Sequence, residues 1–278
     1  MVTALYIPLA ALTAFYGFVF LRASAGARPS PIHILTGFVT NFLDTLGIGS
    51  FATTTALFKF GAMVPDRLIP GTLNAGHTLP TAFQAFIYIT SIAVDARTLI
   101  LLIAGAVAGA WFGAAAVAGF SRRTVRLCVG GALVIAAATL LMRQFELFPP
   151  GGEALGLAGW KLAAAVCGNV VFGAISTLGI GFYAPCMTMV SLMGMNPAAA
   201  FPIMMGSSAF LMPAASAQFV QRKAYSAPVA LGLALGGLAG VPLAAFVVKS
   251  LPLAGLRWLV IGAVLYAAVL TLRSGDKT

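Results

Sequence analysis

Long apolar runs, separated by single charges or short polar connectors, follow one another along the whole chain of 278 residues. Several approach or exceed the roughly 20 residues that an α-helix needs to cross a bilayer. Charged residues make up 8% of the chain, against roughly 25% in ordinary soluble domains. The runs do not alternate polar and apolar residues as membrane β-strands do. The sequence therefore predicts an all-α polytopic membrane protein, with apolar runs at about 4–22, 33–48, 50–62, 69–94, 98–120, 126–145, 161–178, 182–194, 197–220, 226–248 and 254–273.

Basic residues at the ends of these runs indicate the orientation of the chain. The positive-inside rule assigns the places where they gather to the cytoplasm, namely Arg22 with Arg28, the arginines of 122–126, Arg222 with Lys223, and Arg273 with Lys277. This arrangement predicts a protein of the inner membrane with an external N-terminus and a cytoplasmic C-terminus. The net charge of +10 is interpreted as topology and not as a nucleic-acid surface, because the basic residues form no continuous face.

A glycine motif occurs twice at a fixed spacing. Thr-Leu-Gly-Ile-Gly fills 45–49 and recurs at 177–181, 132 residues later, and Pro65 and Pro70 recur at the same spacing as Pro197 and Pro202. Duplicated, glycine-broken membrane segments are typical of transporters built from two repeats. We expect a first repeat at 1–122, a second at 123–250, and a final transmembrane helix with a cytoplasmic tail at 251–278.

The apolar pieces on either side of the first motif are too short to cross a membrane. Residues 33–48 and 50–62 would extend about 24 and 20 Å as helices, against a hydrocarbon core of about 30 Å. The charges at their flanks require 33–94 and 161–220 each to make an odd number of crossings. The sequence therefore predicts, in each repeat, a re-entrant hairpin with its tip at the motif and then one complete crossing. The two repeats are inverted relative to each other.

The two motifs together are predicted to form one site for a small anionic substrate. A helix that restarts after the glycines presents free backbone N–H groups and the positive end of its dipole, which bind anions. Hydroxyl and amide side chains surround both motifs. The alternative is that these side chains only cap the broken helices. The candidate binding residues are Asn41, Thr45, Gly47, Gly49, Ser50, Thr53 and Thr54 in the first half, and Asn169, Ser176, Thr177, Gly179, Gly181 and Tyr183 in the second.

Two ionisable residues inside the apolar runs are candidates for binding a coupling proton or sodium ion. Asp44 precedes the first motif, and His77 lies on the crossing that follows it. Each could instead have a structural hydrogen-bonding role. The three cysteines lack metal-ligand spacing and are interpreted as small apolar residues. We therefore predict no catalytic site, no metal and no cofactor.

The chain resembles the TauE/SafE family of sulfite and sulfonate exporters in its motifs. These are Leu46–Ser50, the matching stretch Leu178–Pro185, the turn Gly194–Ala198, and the C-terminal stretch Ala230–Arg273. It differs from the family pattern where Ser50 and Phe182 replace the third motif glycine.

This resemblance implies a secondary transporter that exports small anions, such as sulfite, a sulfonate or a related organic anion. Alternating access would expose a site between the two hairpin tips to each side of the membrane in turn. An anion channel that uses the same tips as a selectivity filter is the alternative. The sequence leaves the oligomeric state open, with a homodimer among the candidates.

Overall fold

The structure is a computed structural model that describes residues 5–117, 119–147, 149–177, 182–247 and 253–273. Regular structure within these ranges is helical, with one isolated β-bridge and no strand. The α-helices are α1 (Tyr6–Ala23), α2 (Pro31–Thr45), α3 (Ser50–Gly61), α4 (Ile69–Ser91), α5 (Ala96–Val117), α6 (Arg122–Gln144), α7 (Gly159–Ser176), α8 (Tyr183–Leu192), α9 (Ala200–Gln221), α10 (Ala227–Pro242) and α11 (Leu253–Arg273).

Six helical segments of the described chain are long and apolar enough to cross a membrane. They are Tyr6–Ala23, Ala96–Val117, Arg123–Gln144, Gly159–Ser176, Pro197–Gln221 and Ala227–Phe246. The last of these includes the π-helical turn Leu243–Val247 that continues α10. These segments confirm the predicted all-α polytopic membrane protein.

Helices α2–α6 and α7–α11 form two sets, called the two halves here, whose members correspond in order and approximately in length. Helices α9, α10 and α11 each begin 131 residues after α4, α5 and α6, and a pair of shorter helices precedes each set. The second helix of each pair is short, with 12 residues in α3 and 10 in α8. At 1.5 Å per residue these helices rise about 18 and 15 Å, well below the roughly 30 Å of a hydrocarbon core. Neither can cross a bilayer unaided.

Helices of one half pack mainly on helices of the other. Helix α5 lies against α7, α10 lies against α2, and α4 and α6 contact their counterparts α9 and α11. Glycines allow the backbones of the first two pairs to touch: a Cβ on Gly109 would overlap the Val170 carbonyl, and one on Gly236 would overlap the Ile34 carbonyl. Small residues at a helix crossing permit this close approach. The two halves are therefore interlocked.

Three connectors meet at one end of the helix bundle. The Asp95 N–H donates to the Leu155 carbonyl (2.8 Å), and the Asn196 N–H donates to the Ala154 carbonyl (2.8 Å). The segment before α7 is thus tied both to the α4–α5 connector and to the segment after α8. It follows that α7 begins and α8 ends at the same face of the molecule.

Asp95 also caps α5 at this face. Its Oδ2 accepts from the N–H and the hydroxyl of Thr98, both at 2.8 Å. The hydrogen bond from the Thr98 N–H, and after it the one from the Thr98 hydroxyl, hold the pKa of Asp95 below its usual range. Both stabilise the ionised carboxylate.

At the opposite face, the ends of α1, α5 and α9 meet the start of α4. The Ser226 N–H donates to the Thr72 hydroxyl (2.9 Å), and Arg222 donates to the Ala115 carbonyl (2.7 Å). This is the face where the sequence places basic residues after α1 and α9. These helix ends and the basic residues that follow α1 and α9 therefore lie at one face of the molecule.

We expect Gly109→Ala to destabilise the protein, because the new methyl group would force α5 away from α7. Overpacking of this kind costs about 1–3 kcal/mol. Gly131→Ala is the matched control, since a Cβ there meets no atom within 4 Å and alanine favours a helix more than glycine does. Thermal unfolding of the purified proteins in detergent should show a lower Tm only for Gly109→Ala. An unchanged Tm for that variant would contradict the packing.

Candidate functional site

A cavity of about 110 Å³ lies against the segment that interrupts the first short helix pair and against Ser176 and Phe182, which flank the interruption of the second pair. The interruption between α2 and α3, Thr45–Ser50, is called the first break here, and that between α7 and α8, Thr177–Phe182, the second break. Pockets for drug-sized ligands measure about 300–1,000 Å³, so this cavity suits a small ligand. Its polar lining residues are Asp44, Ser50, Asn74, Thr81, Thr139, Arg143, Ser176 and Ser208.

Side chains satisfy the backbone groups that the first break exposes. Asp44 Oδ1 accepts from the Ser50 N–H at the start of α3 (2.9 Å), and the Tyr88 hydroxyl donates to the Thr45 carbonyl (2.6 Å). The Arg143 guanidinium donates to the Gly47 carbonyl. Helix ends leave such groups without intrahelical partners, and lipid cannot satisfy them. These contacts therefore give the backbone groups of the break partners within the protein.

The two glycines of the first break are required by its geometry. Gly47 has φ of 82° and Gly49 has φ of 89°, in the left-handed region that glycine adopts at little cost. A Cβ on Gly47 would also lie 2.8 Å from an Arg143 Nη atom. Both glycines line the cavity. The first motif is thus a turn that brings backbone and side-chain polar groups to one small space.

Arg143 was not among the predicted site residues. It reaches the first break because the apolar face of α6, with Leu133 and Leu140, shares one buried cluster with Leu43 and Ile48. One signal in the sequence could have found it. Arg143 ends an apolar run on the side assigned to the outside, where the positive-inside rule gives no reason for an arginine.

His77 belongs to a buried network behind the cavity and does not line it. Asn41 Nδ2 donates to the Gly37 carbonyl (2.7 Å), which turns Asn41 Oδ1 toward His77 Nδ1 (3.0 Å). His77 Nδ1 must therefore donate, and the neutral ring accepts at Nε2 from the Thr54 hydroxyl (3.0 Å). The network ties α2 and α3 to α4.

The other predicted hydroxyls of the first half also make contacts within the protein. Thr45 Oγ1 donates to the Asn41 carbonyl (2.9 Å) and accepts from Gln84 Nε2 (2.9 Å). Thr53 Oγ1 bonds to the carbonyls of Gly49 and Ser50, both at 2.8 Å. Of the predicted substrate-binding residues in the first half, only Gly47, Gly49 and Ser50 line the cavity. Asn41, Thr45, Thr53 and Thr54 support the break.

The second half contributes less to the cavity. Ser176 lines it, and Thr177 bonds to the Ala174 carbonyl (2.7 Å). Asn169 lies in a separate buried cluster, where its Nδ2 donates to the Leu102 carbonyl (2.9 Å). Gly179 and Gly181 lie outside the described residues, as does the side chain of Tyr183. Phe182 and Pro185, on the far side of the second break, also line the cavity.

The fold defines a polytopic α-helical membrane protein, and a small cavity with an apolar wall and a few polar groups lies beside its first break. The chain belongs to the TauE/SafE sulfite exporter family, whose match covers residues 32–271. Comparisons with curated proteins and with solved structures return no match. Members of this family are membrane transporters, so the predicted family and general class of function are confirmed.

We expect His77→Leu to lower stability without removing the ligand site. The substitution leaves the side-chain Oδ1 of Asn41 and the Thr54 hydroxyl buried without their partner, at a cost of about 1–3 kcal/mol each. The Tm should fall by about 5 °C or more, while sulfite binding to the protein that remains folded is kept. An unchanged Tm together with lost transport would show that His77 acts on the substrate or on a coupling proton instead.

Proposed function

We propose that this protein exports small anions, namely sulfite, a sulfonate or a related sulfur oxyanion or organic anion, across the inner membrane. The anion binds in the cavity between the two breaks. The observation that carries the proposal is the position of Arg143, whose guanidinium lies at the first break and lines the cavity. A guanidinium has five N–H donors in a planar fork that fits oxyanions. Its contact with the Gly47 carbonyl holds this group at the cavity.

Neutral donors add to this positive group. Helix α3 begins at Ser50, so the positive end of its dipole points toward the cavity. The hydroxyls of Thr139, Ser176 and Ser208 belong to the lining. Such groups stabilise an anion by hydrogen bonding without adding a fixed charge. The combination suits an oxyanion that must be released again during each transport cycle.

Asp44 places a carboxylate in the same cavity and opposes anion binding. Its Oδ1 already accepts from Ser50, and the side chain is only partly buried. A proton or a sodium ion at Asp44 would remove the repulsion, so we propose Asp44 as the site of a coupling ion. His77 is a weaker candidate, because both of its ring nitrogens are engaged in the buried network.

The proposed transport cycle depends on inverted repeats. The helix correspondence supports repeats made of α2–α6 and α7–α11, which extend the first repeat to include α6 and the second to include α11. If the α2–α3 and α7–α8 pairs are re-entrant, each repeat makes three crossings and the second is inverted. Rocking of one repeat against the other would then expose the cavity to each side in turn.

We expect Arg143→Gln to weaken sulfite binding by about ten- to a hundredfold. This range corresponds to the roughly 1.5–3 kcal/mol of a hydrogen bond to a charged group. Arg123→Gln is the control, because it makes the same charge change at an exposed position near the other end of α6. Titration calorimetry of the purified proteins should show weaker binding only for Arg143→Gln. Equal affinity of the two variants would contradict the site.

Flux measurements distinguish the transporter from a channel. In proteoliposomes, we expect sulfite flux to saturate with concentration and to depend on a proton or sodium gradient, because each cycle moves bound ligand. Asp44→Asn should remove the gradient dependence. Ohmic, non-saturating current through the wild-type protein would contradict alternating access and support a selectivity filter.

A further inference from the structure

An open groove runs along the outer side of α5, away from the cavity beside the first break. It measures about 520 Å³, within the range of about 300–1,000 Å³ that ligand pockets occupy. Helix α5 supplies most of its lining, and Leu5 before α1 and Phe210 on α9 complete it. Every residue that lines the groove is apolar. The groove therefore suits a hydrocarbon chain.

The lining residues of α5 form one stripe along the helix. They recur at the three- and four-residue spacing of a single helix face, from Ile100 to Phe112. This spacing of twelve residues corresponds to a rise of about 18 Å. Half of the roughly 30 Å hydrocarbon core, which is the share of one leaflet, is about 15 Å. The stripe thus has about the length of an acyl chain in one leaflet.

Two large aromatic side chains lie toward the C-terminal end of this stripe. Trp111 is 48% exposed and Phe112 is 74% exposed, so much of each ring is left to the surroundings of the protein. Lipid tails are as apolar as these side chains, and a tail by itself would not distinguish one lipid from another. Selectivity for a lipid must come from a polar group at the end of the groove.

Arg222 supplies such a group. Its Nη1 donates to the Ala115 carbonyl (2.7 Å), and Ala115 follows Trp111 by four residues and Phe112 by three. Ala115 therefore continues the same helix face. The contact holds the exposed guanidinium about one helical turn beyond the aromatic end of the groove. The planar fork of a guanidinium matches the oxygens of a phosphate group.

The charge around Arg222 is positive. Lys223 follows it and is exposed, and the end of α1, with Arg22, lies at the same face of the molecule. Among the described residues of this face, the one acidic side chain, Asp66, is paired with Lys59. A negatively charged headgroup at Arg222 would therefore meet basic groups without a competing carboxylate beside them.

We propose that this groove binds one anionic phospholipid from the leaflet on the basic side of the membrane. An acyl chain lies along the α5 stripe, and Arg222 and Lys223 hold the headgroup. Basic residues near the membrane surface attract anionic lipids, whereas a zwitterionic headgroup would bring a positive charge to the same pair. The inference does not depend on the transported substrate, because the groove and the cavity share no lining residue.

A bound lipid would also join the two halves. The groove is lined by α5 of the first half and by Phe210 of α9 in the second, so one acyl chain contacts both. A ligand that binds only the folded protein raises its stability. The anionic lipid is therefore expected to raise the Tm of the protein in detergent, in addition to binding it.

The test compares dioleoylphosphatidylglycerol with dioleoylphosphatidylcholine, which have the same acyl chains and differ in headgroup charge. Native mass spectrometry of the full-length protein in detergent should show about tenfold tighter binding of the anionic lipid to the wild type. Arg222→Gln combined with Lys223→Gln should abolish this preference. Arg28→Gln is the control, because it removes an exposed positive charge before α2, a helix that packs on α10, and it should keep the preference.

A second variant tests the apolar part of the groove and leaves Arg222 intact. Ala108→Phe places a ring at an exposed position of the lining, where the acyl chain would lie. It should weaken binding of the anionic lipid by about tenfold. Ala164→Phe, the same substitution at an exposed position of α7 outside the groove, should leave it unchanged. This pair decides the matter if the double variant fails to fold.

Equal binding of the two lipids by the wild type would overturn the inference. A headgroup preference that survives in the double variant, or tight binding that survives in Ala108→Phe, would do the same. Inorganic phosphate, added as a competitor at the concentration of the lipid, should not displace the lipid, because it cannot fill the apolar stripe. Displacement by phosphate would show a site for soluble anions and would overturn the lipid as its occupant.

Discussion

A helix end that is buried away from water exposes backbone donors and acceptors that the protein itself must satisfy, and the first break of this protein is organised around that constraint. Asp44 accepts from the first amide of α3, Tyr88 donates to the last residue of α2, and Arg143 donates to the Gly47 carbonyl. Three helices thus supply the partners of one turn. The same contacts bring a carboxylate and a guanidinium to the cavity, so the groups that stabilise the break also define its chemistry.

Close packing between the halves holds those partners in position. The glycine contacts of α5 on α7 and of α10 on α2 leave no room for a methyl group, and the His77 network joins α2, α3 and α4 behind the cavity. Cores packed at this density do not deform continuously. Movement of the cavity lining would therefore involve groups of helices moving together, as the proposed rocking of repeats requires.

The chemistry of the cavity is asymmetric even though the helices of the two halves correspond. The first break contributes both glycines and Ser50, whereas the residues around the second break contribute Ser176, Phe182 and Pro185. Both charged side chains of the described lining, Asp44 and Arg143, belong to the first set of corresponding helices, α2–α6. Two corresponding halves thus give one site with a charged end and an apolar wall.

The sequence by itself determined the helices, their order and the position of the breaks. Apolar runs of a given length and glycines within them are local properties, so the predicted short runs at 33–48 and 50–62 appear as α2 and α3. The local pattern also predicted Gly47, Gly49, Ser50 and Ser176 as site residues, and all four line the cavity. It could not separate Thr54 and Asn41, which support the break, from residues that line the cavity, because neighbours on a helix point in different directions.

Only the tertiary structure decided which distant residues complete the site. Arg143 lies 96 residues from Gly47 in the chain, and it reaches the break because an apolar face of α6 packs against the α2–α3 pair. Asn74 reaches the same cavity from α4. Contacts of this kind depend on how helices pack and not on any spacing within one segment. The physical reason is that helix packing determines which groups surround a buried polar side chain. The sequence shows only that the polar residue is present.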